Sequence, residues 1–475
     1  MILSVILLTS CKDSNGGEKV DVWLTTSDQK NLLTQQHSLV FDGSDGATLP
    51  TIQVDPNVEF QTMDGFGAAI TGSSAYLINN KIKAQQREVL LDDLFTSEGI
   101  HLKFIRHTIG SSDFSVDENG DAASYTYNDI ESGTDFELSQ FSVGKDAGVI
   151  QLIKHIYTLN DTLKVLGTPW TAPGWMKFGQ QQLNGWYLNY KDQRVYEAYA
   201  DYFVKYIEEY KRLGIPIYGM TIQNEPEHTS QSYPSMSMNA NEQAMFIRDY
   251  LGPAFANNDI STKIISYDHN WNKGMDYART VLGDSKANAY TDGTAYHCYE
   301  GSPATMSEVH EAFPNKNIYF TECSGGEWST NFGQNLSWFM SNLIIGASRN
   351  WAKTVLLWNM ALDEDGGPTN GGCINCRGVV TINTENGSVT KNVEYYVLGH
   401  ASKFVDSGAV RIASSNDKGN METVAFKNPD DSIVLIGANT SQTEKSFQVN
   451  WDKKSFSYSM PSNSAATFKW APSPD

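Results

Sequence analysis

The chain is 475 residues long, 40% hydrophobic and 12% aromatic, with a formal net charge of −20. At about 150 residues per domain this is one large domain with a smaller one, or about three units, and the apolar content excludes a disordered or fibrous chain. The acidic balance excludes nucleic acid or an anionic membrane bound through a basic face, and no apolar run approaches the ~20 residues that span a bilayer.

Met1 to Leu8 is apolar, and Leu8-Thr9-Ser10-Cys11 resembles the end of a bacterial lipoprotein signal. On that reading Cys11 is lipidated after cleavage and residues 12–19 form a tether. No Lys or Arg precedes the stretch, so a chance cysteine in an N-terminal tail is the competing reading. The first reading implies an exported protein, lipid-anchored in the bacterial cell envelope, at the outer-membrane surface or in the periplasm. It touches the membrane only through that anchor, and a monomer is expected.

Runs Val20–Thr25 and Thr51–Val54 alternate like antiparallel strands, which assigns 20–55 to a β unit. Eight β-rich runs follow within 56–394: Phe60–Thr71, Leu102–Gly110, Leu163–Trp170, Ile217–Asn224, Lys263–Asp268, Gly293–Tyr299, Asn317–Cys323 and Thr354–Met360. Several are continuously apolar, as in Thr354-Val355-Leu356-Leu357-Trp358, which suits parallel strands covered on both faces. Helical patterns separate them at Thr71–Phe95, Gly144–Leu159, Asn241–Leu251 and Leu336–Trp351. Between the third and fourth strands, Val195, Tyr199, Tyr202, Tyr206 and Tyr210 mark one helix face, stopped by Gly214-Ile215-Pro216. Alternating strands and helices of this number predict a (β/α)8 barrel rather than an open sheet. After 395, turn clusters separate short alternating runs such as Ile433-Val434-Leu435-Ile436, an antiparallel pattern. The fold expected is an α/β (β/α)8 TIM barrel with a fused antiparallel β-sandwich, built from 20–55 and 395–475. A separate C-terminal domain, with the N-terminal strands capping the barrel, is the alternative.

Barrel enzymes place their chemistry at the C-terminal ends of the strands. The fourth strand ends in Gln223-Asn224-Glu225-Pro226 and the seventh in Thr321-Glu322-Cys323. An acid directly after an apolar strand is costly to bury unless it is paired or functional. Two of them across a barrel mouth form the carboxylate pair that glycoside hydrolysis needs. Mutual repulsion is expected to raise one pKa and keep that acid protonated. Taken singly, each glutamate also reads as a strand-end salt bridge. Trp170, Trp175, Trp186, Tyr299, Trp328 and Trp358 read as an aromatic rim for sugar rings.

Cys373-Ile374-Asn375-Cys376 has C-x-x-C spacing, with no second such pair to complete a zinc site. In an exported protein a small disulfide loop is favoured, with a lone redox motif as the alternative. His297 and His269 also lie at strand ends. Without further ligands at suitable spacing they read as polar cleft residues or substrate contacts, and no metal or cofactor is expected.

Together Asp64-Gly65-Phe66-Gly67, Pro169-Trp170-Thr171-Ala172-Pro173-Gly174-Trp175-Met176-Lys177, Gln223-Asn224-Glu225-Pro226, Thr321-Glu322-Cys323-Ser324 and Trp358-Asn359-Met360-Ala361-Leu362-Asp363 resemble glycoside hydrolase family 30. That family includes glucosylceramidases and endo-β-1,6-glucanases. The resemblance runs in order over about residues 20 to 475 and implies a barrel with a fused sandwich and a retaining mechanism. It implies Glu225 as general acid/base, Glu322 as nucleophile and Asn224 on the sugar 2-hydroxyl. It further implies Asp113 on outer hydroxyls, Trp170 and Trp358 as walls of the −1 subsite, and Tyr299 as a phenol bonding the nucleophile. Arg106, ending the second strand, either keeps Glu322 ionised or is an ordinary salt bridge. The polar run His228-Thr229-Ser230-Gln231-Ser232-Tyr233 favours a β-glucan or β-glucoside substrate over a ceramide. A glycan-binding lipoprotein without catalysis is the rival from another class. Retention predicts carboxyl groups about 5 to 5.5 Å apart, inversion a wider gap.

Overall fold

The computed structural model describes residues 18–41, 49–179, 182–416 and 421–472; Cys11 and most of the expected tether lie outside them. Eight parallel strands close into a barrel: β1 (Gly65–Ile70), β2 (Phe104–Ile109), β3 (Lys164–Pro169), β4 (Ile217–Thr221), β5 (Lys263–Asn270), β6 (Thr291–His297), β7 (Asn317–Glu322) and β8 (Ala352–Leu357). The strands are buried along nearly their whole length, which is why their sequences read as apolar runs rather than alternating ones. Outside them the helix Gln193–Arg212 buries the tyrosine face the sequence predicts, from Tyr196 through Tyr210. Its N-cap is Asp192, and Lys211 and Arg212 lie in its last turn, where cations suit the helix dipole. Among the described residues no helix is long and apolar enough to cross a membrane.

Three boundaries differ from the sequence pattern. The run beginning at Phe60 belongs to two sheets: Thr51–Thr62 is a sandwich strand, and β1 starts only at Gly65. Between them the Met63 N–H donates to Ala409 O, so the chain changes sheet partner inside one apolar run. The helical stretch Thr71–Phe95 is two helices, Gly72–Asn80 and Ala84–Phe95. The barrel also continues past 394, because Val393–Ser402 is its closing helix, with Val393, Val397, Leu398 and Ala401 buried. Its Tyr395-Tyr396-Val397 run has strand-like composition, and tertiary packing overrides that local preference.

Both ends of the chain build the sandwich. Lys19–Thr25 pairs antiparallel with the last strand, Ser464–Trp470. Thr51–Thr62 runs antiparallel to Val410–Ser414 but parallel to Lys445–Trp451, the one departure from the antiparallel expectation among these pairings. Val20, Val22, Ile52, Leu435, Phe447, Phe468 and Trp470 fill its core. His400 ties this unit to the barrel: its ring nitrogens lie 2.9 Å from Thr467 Oγ1 and 2.8 Å from Thr25 Oγ1.

Inside the barrel, Phe104, Leu166, Ile265, Ala295, Tyr319 and Leu356 form one apolar layer. Side chains alternate along a strand, so residues two further on point the same way. That rule stacks Arg106, Thr168, His297, Thr321 and Trp358 above the apolar layer, toward the C-terminal mouth. Gly67 keeps β1 and β2 close enough for this: a Cβ there would lie 1.7 Å from the carbonyl oxygen of Phe104.

Candidate active site

Arg106 is the hub of this polar layer and is fully buried. Its Nε donates to Thr168 Oγ1 (3.2 Å), Nη1 to a Glu322 oxygen, and Nη2 to Asn224 Oδ1 (2.7 Å) and Asp268 Oδ2 (2.8 Å). A planar guanidinium suits such a fork of acceptors. Above it Trp170 and Trp358 stack at 5.1 Å and 23°, with Arg106 Cζ 4.9 and 5.7 Å from their ring centres. Arg106 is therefore more than an ordinary ion pair, since it braces a nucleophile candidate and two aromatic walls together.

Asp268 escaped the sequence reading. By strict alternation Tyr267, two residues after Ile265, should point inward. Instead β5 bulges against β6, where Ala295 pairs with Tyr267 and Tyr296 with His269. Tyr267 and Asp268 take left-handed φ values of 72° and 70°, and the bulge turns Asp268 into the barrel. There it accepts hydrogen bonds from Thr221 Oγ1 (2.7 Å) and Thr321 Oγ1 (2.6 Å) as well as from Arg106. Burial alone would raise its pKa, but the Arg106 and His297 charges outweigh that and hold it well below the usual carboxylate range.

Glu225 and Glu322 face each other with carboxylate oxygens within 4.8 Å, a spacing close to that of a nucleophile and acid/base pair. Glu322 also accepts from the Tyr299 phenol at 2.9 Å. His297 lies beneath the two glutamates with no exposed surface; it belongs to the floor of the site rather than to a wall that meets substrate. Its Nδ1 is 3.1 Å from Glu225 Oε1 and 3.7 Å from Glu322 Oε1, and its Nε2 is 3.1 Å from Asp268 Oδ1. Burial disfavours charge on the ring, yet the Glu322 and Asp268 carboxylates raise its pKa to about 9. The imidazolium so formed reverses the expected repulsion between glutamates. For Glu225 burial acts upward, but the His297 hydrogen bond and charge, with His269 and His228, bring its pKa below the ordinary value. The raised carboxyl is Asp113, pushed up to about 8 by burial first and the Glu322 charge second.

Among the described residues, Glu225, His297 and Glu322 are also the one group close enough to share a metal. With both ring nitrogens on carboxylates and a raised pKa, His297 holds protons where a metal needs a lone pair. The same protonation gives a stability prediction. In the unfolded chain His297 titrates near pH ~6.5, so its contribution is complete below that pH and is lost as pH rises through about 9. The melting-temperature gap between the unaltered protein and His297→Gln should be widest near pH ~6 and close above pH ~9. A gap independent of pH would mean that the ring is neutral.

The cleft over these groups has a volume of about 560 Å³ and is lined by Asp113, Tyr233, His269, Tyr299, Trp328, Trp358, Cys373 and Cys376, among others. His269 stands at its side, with Nε2 4.0 Å from Glu225 Oε1. Asp113 Oδ1 is buried without a side-chain or backbone partner among the described residues, and it is chemically suited to accept from a hydroxyl. Because Arg106 occupies the carbonyl oxygen of Asn224, that side chain offers a ligand its NH2. Two residues of the expected rim lie elsewhere: Trp175 is buried, its Nε1 donating to Asn128 Oδ1 at 2.7 Å, and Trp186 is 36% exposed but lines no part of the cleft. Cys373 and Cys376 form a disulfide at the rim. A second disulfide, Cys298–Cys323, was not anticipated; it ties the residue between His297 and Tyr299 to the residue after Glu322.

Comparison with known proteins agrees with this architecture. Residues 63–405 match the glycosyl hydrolase family 30 TIM-barrel domain, and residues 408–468 match the family 30 beta sandwich domain. The endo-1,6-beta-D-glucanase of Aspergillus fumigatus is 35% identical over 425 residues, covering 84% of this chain and 82% of that protein. The lysosomal acid glucosylceramidase of Mus musculus is 28% identical over 443 residues, 88% of this chain and 83% of that protein. A solved endo-beta1,6-glucanase superposes with a TM-score of 0.87 at 33% identity, over 96% of this chain and all of that one. With its barrel, its sandwich and its facing glutamates accounted for, the chain belongs to glycosyl hydrolase family 30 and is an O-glycosyl hydrolase.

Proposed function

We propose that this protein is a retaining endo-β-1,6-glucanase. The observation that carries the mechanism is the approach of Glu225 and Glu322 to within 4.8 Å, with Arg106 and Tyr299 both donating to Glu322. The linkage is supported by the resemblance to two endo-1,6-glucanases, and a glycan rather than a lipid by the carboxylates and imidazoles that stand among the aromatic rings lining the cleft.

In the first step a Glu322 oxygen attacks the anomeric carbon while Glu225 protonates the leaving oxygen, and the glycosidic bond breaks. Arg106 and Tyr299 keep the Glu322 charge in place and hold its reacting oxygen in line. The proton is supplied by the Glu225–His297 pair, which shares it across 3.1 Å. Substrate that displaces water from the cleft favours the uncharged form of that pair, a carboxylic acid beside a neutral ring. Water, deprotonated by Glu225, then releases the sugar from Glu322 with its configuration retained. Trp170 and Trp358 form the aromatic wall of the −1 subsite, and Asn224 and Asp113 meet sugar hydroxyls.

The run Leu8-Thr9-Ser10-Cys11 supports export and a lipid anchor at Cys11, with a monomeric catalytic unit held at the cell envelope. Product analysis on β-1,6-glucan, an aryl β-glucoside, glucosylceramide and glucuronoxylan tests the specificity. Short β-1,6-linked oligosaccharides from the glucan, initially in the β configuration, are expected. Glucose as sole product would replace endo by exo action, and cleavage of glucosylceramide but not of glucan would overturn the substrate.

A further inference from the structure

The cleft does not end at Glu225. Glu227 and Lys273, paired at 3.7 Å, line both it and a second hollow of about 760 Å³, which begins at Pro226. One wall of this hollow is aromatic, formed by Tyr187 and Tyr190. Their rings lie nearly parallel to Phe178, at 5.7 Å and 20° and at 5.3 Å and 16°; Tyr187 is stacked in turn on Trp186 (5.4 Å, 8°), and Tyr190, 57% exposed, is the open ring. Its lining also includes the polar side chains of Asn239, Asn241 and Glu242. Flat aromatic surface beside hydrogen-bonding groups matches a pyranose ring, which has apolar C–H faces and a rim of hydroxyls.

The aromatic wall is built to hold its shape. The buried Lys177 ammonium donates to the carbonyls of Leu183 (2.7 Å), Gly185 (2.8 Å) and Ser235 (3.0 Å), pinning the loop from below. Next in that loop, Trp186 has a left-handed φ of 73°, a conformation a bulky residue keeps only where its surroundings hold it. A preorganised surface spends little entropy when a ligand settles on it.

From this we infer that the second hollow binds the reducing-end portion of a β-glucan chain. The assignment rests on the function proposed above: Glu225 protonates the leaving oxygen, so the departing part of the polymer lies on the side of Pro226 and Glu227. The chain crosses the Glu227–Lys273 pair and lays a further glucosyl unit on Tyr190, with Tyr187 bracing that ring from beside it.

The test compares Tyr190→Ala, Tyr190→Phe and the double variant Tyr187→Ala/Tyr190→Ala on polymeric β-1,6-glucan and on 4-nitrophenyl β-glucoside. For Tyr190→Ala the KM for the polymer should rise about three- to tenfold with kcat unchanged, the usual worth of one aromatic contact. Hydrolysis of the nitrophenyl glucoside should stay as it was, and Tyr190→Phe should behave as the unaltered enzyme. The exposure of Tyr190 makes the single variant safe for folding, which thermal melting checks. Unchanged polymer kinetics in a folded double variant would overturn this site and leave the glucanase reading intact. If the unaltered enzyme cleaves the nitrophenyl glucoside but no glucan, the substrate reading fails and this site falls with it.

Discussion

Glu322→Gln is expected to lower kcat on an aryl β-glucoside by on the order of 10⁴-fold or more, with substrate binding still measurable by calorimetry. The amide keeps the shape of the carboxylate but cannot form the glycosyl ester on which both steps depend. Glu225→Gln should behave differently. Its loss should be about 10²–10⁴-fold for a sugar leaving group, which needs a proton, and much smaller for the first step with nitrophenolate, which does not. Added azide should restore turnover of Glu225→Ala and give the β-glycosyl azide, because an anion attacks the glycosyl-enzyme without a base. Formation of the α-azide by that variant would reverse the roles of the two glutamates. Near-normal activity in Glu322→Gln would remove the assignment altogether.

Arg106→Ala is the second large effect, and it acts on stability and rate together. The substitution removes one of the two cations shared by Glu322 and Asp268, leaving His297 beside them in a layer where Arg106 and Asp268 are fully buried. Breaking a buried pair from one side costs about 3–5 kcal/mol, measurable by denaturant unfolding. Glu322 also loses the guanidinium donor that holds its carboxylate in place. Activity should therefore fall together with stability. Arg106→Lys restores a charge but only one donor atom, which cannot span Glu322, Asp268, Asn224 and Thr168 at once. Its stability should recover further than its rate. Full activity in Arg106→Ala would show that Tyr299 alone orients Glu322.

The barrel was legible because its strands are apolar on both faces and its helices carry periodic tyrosines. Glu225 and Glu322 were legible for a related reason, each being an acid directly after such a run. Asp268 carries the same signal, yet alternation from Ile265 assigns the inward position to Tyr267. Only the bulge, a product of pairing with β6, exchanges them. His297 shows the limit of reading a position without its depth: the strand end was right, but its burial beneath the carboxylates depends on the layer below. Trp175 sits in a motif beside Trp170 and still faces away, because the short 3₁₀ turn Gly174–Met176 carries it toward Asn128. The pairing of Cys298 with Cys323 follows from β6 and β7 being neighbours, which spacing in the chain does not reveal.

The pairing of Lys19–Thr25 with Ser464–Trp470 also orders events during synthesis. The first strand finds early partners on one side, Thr34–Gln35 and Leu39–Val40, but its other edge stays open to any other chain until the last strand is made. The eight barrel strands, between Gly65 and Leu357, pair only with one another and so do not wait for the last strand. The late strand then locks both termini onto one sheet. A chain truncated before Ser464 would keep every group of the catalytic layer, yet expose the flanks of two sandwich strands, Lys19–Thr25 and Ile433–Asn439. Such a fragment fails by association with its own copies before it fails in chemistry.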